Sequence, residues 1–422
     1  MTCSRRDFLA DCARLALGVS IGGAIPDLLA AAEAPAGGRT PAQACIILHM
    51  QGGMSHLDTL DPKREKAVAG PLVPIPTVVD GVFLGPYLPR LARRLDQCAV
   101  IRSVSSNQGA HEQGQYLVRT GYLQRGGTIH PTLGAWDVHL RGRRNPTLPP
   151  YVSINRPGNH PGAGFLPADC QPLPVGNPSA GLPFATRPKG VSAAAEERRR
   201  ALLKTIDDGF LAAQPSTVAA ASRHLYDQAV TLMASKDLEA FDLAREPASV
   251  RTAYGEDAFG SGCLLARRLV QHGVRQVEVA LAGWDTHDDH FDRLEEPCAI
   301  LDRGLSALLD DLTTQGLREQ TLVVLMTEFG RTPTINGNQG RDHHPQAFSV
   351  LMAGGGVRGG QMHGATDARG QTVVEGRVEV PDVLATIAYG LGLPLDRTVP
   401  SPTGRPFTVA DKGKPITTLF TG

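Results

Sequence analysis

Short apolar runs and longer amphipathic stretches alternate along this chain, and the change of period marks its elements. Apolar runs predict strands at residues 45–50, 98–101, 151–154, 277–282, 321–327 and 348–352. The run at 321–327 is apolar throughout its centre, as a strand covered on both faces is. Three- and four-residue spacings predict helices at 87–95 (Leu88, Leu91, Leu95), 111–119, 259–272 and 381–391. A long helix is predicted at 291–315, with Leu294, Ile300, Leu301, Leu305, Leu308, Leu309 and Leu312 in register. Gly121 and Gly273 stand where helix-ending glycines belong. Residues 193–243 read as two or three amphipathic helical segments broken at Gln214-Pro215. Residues 145–190 are rich in Pro, Gly and Asn, which predicts a functional surface or lid. The strand–helix–strand order predicts an α/β fold, a three-layer sandwich with a mostly parallel central sheet. In such sheets ligands bind at the carboxyl ends of the strands.

Composition fits this picture. Gly (47) and Pro (32) are plentiful and aromatics few (5%), which suits structured loops rather than a helical bundle. Formal net charge is zero, 42 Lys+Arg against 42 Asp+Glu, which excludes a general nucleic-acid binder of the basic kind. The N-terminus reads as a targeting segment. Ser4-Arg5-Arg6-Asp7-Phe8-Leu9 is a twin-arginine signature, followed by an apolar run at 13–24 and a small-residue cleavage site at Ala30-Ala31-Ala32. That run is too short and Gly-rich for a stable membrane span. The expected organisation is therefore a twin-arginine signal peptide at 1–32, a linker at 33–44 and a single domain at 45–422. A helical insertion falls at about 191–250, and the expected location is the periplasm. Five cysteines remain after processing, Cys45, Cys98, Cys170, Cys263 and Cys298, widely spaced and read as buried thiols.

Polar clusters follow the predicted strands. Asp285, His287, Asp288, Asp289 and His290 follow the run at 277–282, and Glu328 follows the run at 321–327. Asp342, His343 and His344 lie on the loop beyond. Carboxylate plus imidazole suits a divalent metal such as zinc, manganese or iron, and no thiolate is involved. The bland reading of Asp288 and Asp289 is a solvated helix start. Adjacent residues in an extended loop point opposite ways, so one of His343 and His344 is expected to be structural. His111-Glu112-Gln113-Gly114 opens a helix after a strand, where backbone N–H groups favour an anion, with Arg102 and Arg119 as charge partners; plain helix capping is the alternative. Gly354-Gly355-Gly356 lacks a phosphate-loop pattern and reads as a turn. Ser55-His56-Leu57-Asp58 is too crowded in one stretch for a nucleophilic triad.

Taken together, several motifs resemble the DUF1501 family of exported, sulfatase-like bacterial proteins. They are Gly52-Gly53-Met54-Ser55-His56-Leu57-Asp58-Thr59, His111-Glu112-Gln113-Gly114, Thr120-Gly121, Gly283-Trp284-Asp285-Thr286-His287, Thr327-Glu328-Phe329-Gly330-Arg331-Thr332 and Gly340-Arg341-Asp342-His343-His344-Pro345. The resemblance implies an alkaline phosphatase/sulfatase-like fold, and with it metal-dependent hydrolysis of phosphate or sulfate esters, polysaccharide-linked esters included. The site it implies departs from the superfamily pattern. Gln51-Gly52 stands where a metal-binding Asp precedes Gly, and His111 stands where a Ser, Thr or Cys nucleophile is usual. His111 can be a metal ligand, a base or a phosphoryl acceptor. Arg331 and Arg341 are expected to steady the anion, while Asp285, His287, Glu328, Asp342, His343 and His344 are expected to hold metal. The expected partner is a small-molecule or glycan ester substrate, with no nucleic acid. The alternative is a non-catalytic binding or assembly protein that keeps the fold and accompanies another exported protein.

Overall fold

A computed structural model describes residues 40–421 apart from 157, 184, 186, 188 and 215. The expected signal peptide and most of the linker lie outside the described residues. Nine strands form the central sheet: β1 (Ala44–Met50), β2 (Cys98–Ser105), β3 (Tyr151–Ile154), β4 (Leu173–Val175), β5 (Gln276–Leu281), β6 (Thr321–Thr327), β7 (Phe348–Gly354), β8 (Gln361–His363) and β9 (Val378–Glu379). Their spatial order is β8-β2-β7-β6-β1-β5-β3-β4, with β9 also on β2. Only β7 runs antiparallel to its neighbours. The main helices are α1 (His111–Thr120), α2 (Leu133–Arg141), α3 (Ala193–Ala213), α4 (Thr217–Ala234), α5 (Ala258–Gln271), α6 (His290–Thr314) and α7 (Val380–Gly390). No helix among the described residues is long and apolar enough to cross a membrane.

The two-residue period of the strands makes the three layers. On one face Ile46, Leu48, Met50, Val277, Val279, Val323 and Leu325 pack with α5 and α6. On the other, Cys45, Ile47, Leu322, Val324 and Met326 pack with α2 and α7. A strand buried on both faces reads as a continuous apolar run, which is why these central strands stand out in the sequence. All five of Cys45, Cys98, Cys170, Cys263 and Cys298 are buried and free.

Buried polar residues interrupt the second face. Glu278 on β5 meets His160 Nε2 at 2.9 Å, His49 Nε2 at 3.5 Å and Arg119 Nε at 3.7 Å, and it accepts from the Tyr151 hydroxyl. Burial alone would raise its carboxyl, but the histidines outweigh that and hold it well below the usual range.

Some elements differ from expectation. The helix expected at 87–95 is a single turn, Pro89–Ala92, followed by a 3-10 turn, Leu95–Gln97. Asp302 of α6 accepts from the Arg90 and Leu91 N–H groups (2.9 and 2.8 Å), so the turn is capped from elsewhere in the fold. The strands β4, β8 and β9 were not foreseen. They are two or three residues long, and β4 carries a proline. The stretch 193–243 does form helices, α3 and α4 followed by 3-10 turns, with Ser192 and Ser216 capping the two long helices.

Candidate metal centre

The strands β6, β1 and β5 are neighbours, and their carboxyl ends open into one place. Gly52, just past β1, packs against the chain leaving β5. A Cβ on it would lie 2.5 Å from the Asp285 nitrogen, and its φ is +113°, so only glycine fits. That close approach sets Asp285 beside Glu328, the first residue after β6. From the other side α1 begins at His111. Opposite it, a two-stranded ribbon pairs Gly330–Arg331 with His343–His344, His343 facing Arg331 and His344 facing Gly330. Cross-strand partners share a face, so His343 and Arg331 both turn toward Asp285.

Three imidazoles converge on the Asp285 carboxylate. His111 Nε2 lies 3.2 Å from Oδ2, while His287 Nε2 and His343 Nε2 lie 3.2 and 3.4 Å from Oδ1. His287 Nε2 and His343 Nε2 are 3.0 Å apart. The other nitrogen of each ring is engaged behind it. His111 Nδ1 donates to Glu328 Oε1 (2.8 Å), His287 Nδ1 to Asp342 Oδ1 (2.9 Å) and His343 Nδ1 to the Gly109 carbonyl (2.7 Å). A carbonyl or carboxylate only accepts, so each Nδ1 carries a proton, and each ring turns its Nε2 inward, where it offers a lone pair whenever the ring is neutral. His111 Nε2 is buried and has no hydrogen-bond partner.

The surrounding charges keep this arrangement anionic. Burial would raise the Asp285 carboxyl, but the Arg331 hydrogen bond and charge, with His111, hold it at about 2. Glu328 would likewise be raised by burial. The His111 bond and the backbone N–H groups, including Gly52 N at 2.9 Å, keep it below the usual range. Burial lowers His343, aided by the Arg331 and His111 charges, whereas the Glu328 bond raises His111.

The arrangement fits a metal ion. Ring nitrogens and a carboxylate crowded this closely repel unless protons or a metal ion lie among them. Donors about 2.0–2.1 Å from a tetrahedral ion stand roughly 3.3 Å from one another, close to the separations found. His111, Asp285 and His343 offer ligand atoms all within 4.8 Å of one another, and His287 Nε2 stands beside this trio, next to His343 Nε2 and Asp285 Oδ1. Each ring backed by a carboxylate or carbonyl is the outer shell such sites use.

The other expected residues fall into distinct places. Glu328 and Asp342 stand behind His111 and His287 rather than at the centre. Arg331 is buried and holds Asp285; its remaining bonds go to the Gly52, Gly53 and Arg341 carbonyls. The structure does not bring Arg341 or His344 to the centre. Arg341 is buried against Asp58 (2.9 and 3.0 Å) and the Thr332, Pro333 and Val68 carbonyls. His344 donates to the Gln371 carbonyl (2.7 Å) and stacks on His56. His290 also turns away, to Asp58 Oδ2 (2.9 Å), and Asp288 pairs with Arg293. The Gly109 carbonyl escaped sequence reading, since a backbone acceptor leaves no trace in residue type.

Fold and site together define a three-layer α/β protein with a histidine-rich candidate metal centre at the carboxyl ends of its sheet. The chain belongs to the DUF1501 family: the family model, described as "Protein of unknown function (DUF1501)", matches residues 42–420. No curated protein matches it in sequence. Among solved structures it is similar to a protein in the alkaline phosphatase superfamily from Vibrio parahaemolyticus, at 10% identity and TM-score 0.38 over 99% of this chain and 79% of that one. It is also similar to the PsFucS1 sulfatase from Pseudoalteromonas sp. (13%, TM-score 0.36, 84% and 68%). A third is the phosphonate monoester hydrolase SpPMH from Silicibacter pomeroyi (12%, TM-score 0.37, 90% and 76%). What the site can do follows from its own residues.

Proposed function

We propose that the protein is an exported hydrolase of phosphate or sulfate esters, polysaccharide-linked esters included, that works with one divalent metal ion held by His111, Asp285, His287 and His343. The observation that carries this is the convergence of three imidazole Nε2 atoms on the ionised Asp285 carboxylate, each ring held from behind through its Nδ1. When bound, such an ion supplies Lewis-acid polarisation of an ester oxygen and a more acidic water. The chain's own part is to place and hold. Glu328, Asp342 and the Gly109 carbonyl fix the three ring orientations, and Arg331 fixes Asp285. The converging groups are imidazoles and carboxylates, so water is the attacking group in this reading and no ester forms on a serine or threonine. The mixed imidazole–carboxylate set, without a thiolate, suits zinc, manganese or iron and disfavours thiolate-seeking ions. Export rests on Ser4-Arg5-Arg6-Asp7-Phe8-Leu9, which directs the chain to the periplasm through the twin-arginine route.

One observation favours the non-catalytic alternative, a metal-holding assembly protein. The guanidinium nearest the centre, Arg331, is committed to three carbonyls and Asp285, which leaves it poorly placed to clamp an incoming anion. A panel of 4-nitrophenyl phosphate, sulfate and phosphodiester substrates with the metal-loaded chain separates the two. Turnover that disappears in Asp285→Ala and His343→Ala is expected for the hydrolase. Stoichiometric metal with no turnover on any ester sinks it.

A further inference from the structure

A second concavity lies away from the metal centre. Its walls include residues that precede β3 and β4, so it opens at the amino ends of these strands, opposite to the end that carries Asp285. It is a trough of about 500 Å³ between the α3–α4 pair and the open edge of the sheet, within the range of small-ligand sites. Leu173, Leu203, Phe210, Tyr226, Leu232 and Met233 give it an apolar lining. The helix α3 buries no residue, and Leu203 and Phe210 stay partly exposed beside the trough. Lining residues run from Ala219 to Met233 along α4, about 20 Å at the usual rise per residue.

The edge facing the trough cannot take a peptide strand. Val175 O accepts from Asn155 N, so Val175, and with it Leu173, turns its backbone groups toward β3. Pro172 and Pro174 face outward, and neither has an N–H to offer. Recognition there rests on apolar contact instead. Charge marks one end. Arg143 lies near Thr147, where α4 finishes; it gives a hydrogen bond to the Pro146 carbonyl (3.1 Å) and makes no ion pair among the described residues. The other lining charges are engaged or distant. Arg223 pairs with Asp208 and Asp227, Asp169 pairs with His224, and Asp207 lies near Arg223, some ten residues back along α4.

The geometry points to a binding site for a single-chain anionic amphiphile, with its alkyl chain along α4 and its acidic head on Arg143. Calorimetric titration of the full chain with dodecanoate, below its micelle concentration, tests this. One site per chain is expected, with dodecylammonium at least tenfold weaker. Arg143→Ala lowers dodecanoate affinity at least tenfold and leaves 1-dodecanol unchanged. Ala229→Trp and Ser222→Trp, each filling the trough from α4, abolish binding of both, while His343→Ala retains it and so separates this site from the metal centre. The proposal is overturned if dodecanoate does not bind, if the ammonium binds equally well, or if binding survives both tryptophans in folded protein. It is equally overturned if the trough proves to be covered by a second copy, seen as a dimer that both tryptophans dissociate, or if only anionic phospholipid vesicles bind.

Discussion

At the scale of single residues, the candidate centre depends on what stands behind each ligand. Glu328 is 2% exposed and keeps the His111 proton on Nδ1. Glu328→Gln therefore lowers metal affinity roughly 10–100-fold, as loss of such outer partners does elsewhere, and calorimetric titration of metal into the variant reads it. Outside the centre, buried histidines set the acid limit of stability. Burial holds the fully buried His56 at about 4, below its usual 6.5, despite Asp61 and the Gly370 carbonyl pulling the other way. A depressed histidine leaves the folded state with fewer protons than the unfolded one between these values. Stability is then complete above about pH 6.5 and falls as pH drops toward 4, by on the order of 3 kcal/mol for this residue. Asp58 adds a further loss only below about pH 4: burial would raise it, but Arg341 and His290 hold it at about 2. Denaturant midpoints from pH 7 to 4 should fall more steeply in the parent than in His56→Phe; parallel curves would contradict the assignment.

At the scale of elements, the junction of β1 with the chain after β5 is the point where backbone geometry makes the site. Gly52→Ala places a Cβ against the Asp285 nitrogen at a positive φ. It is expected to cost more than 1 kcal/mol, since the residue can adopt neither the angle nor the space, and to abolish metal binding by displacing Asp285. Tight metal binding by this variant would show that the junction tolerates a side chain.

Much of this level was legible in the sequence. The central strands are apolar on both faces, and Asp285, Glu328 and His111 were recognisable as polar groups placed where a strand ends or a helix begins. Less legible was the pairing of the ribbon Gly330–Arg331 with His343–His344, which turns His343 inward and His344 toward Gln371. The fate of the arginines was hidden for a related reason. Arg331 and Arg341 read as anion ligands, but carbonyls of Gly52, Gly53, Thr332 and Pro333 take their donors, and backbone acceptors carry no sequence signal. The edge strands and the turn capped by Asp302 depend on partners far away in the chain.

At the scale of the whole molecule, two polar investments stand on opposite terms. The Glu278 cluster is sealed inside one layer, and removing its carboxylate leaves His49, His160 and Arg119 buried without their partner. Glu278→Ala is therefore expected to cost about 3–5 kcal/mol in unfolding free energy, read by chemical denaturation, with no change in metal content. The strand-end centre stays open to solvent, with His287 and Asp285 nearly half exposed, and it gains stability only from what it binds. An ion present at about 100 times its Kd stabilises the fold by about 2.7 kcal/mol. The central claim is that these residues hold one metal ion. Elemental analysis of the full chain, purified without chelator, tests it most directly. One zinc, manganese or iron per chain is predicted, lost in folded His343→Ala and removed by chelation together with a drop in Tm. Protein without stoichiometric metal, and with the same Tm before and after chelation, would contradict it.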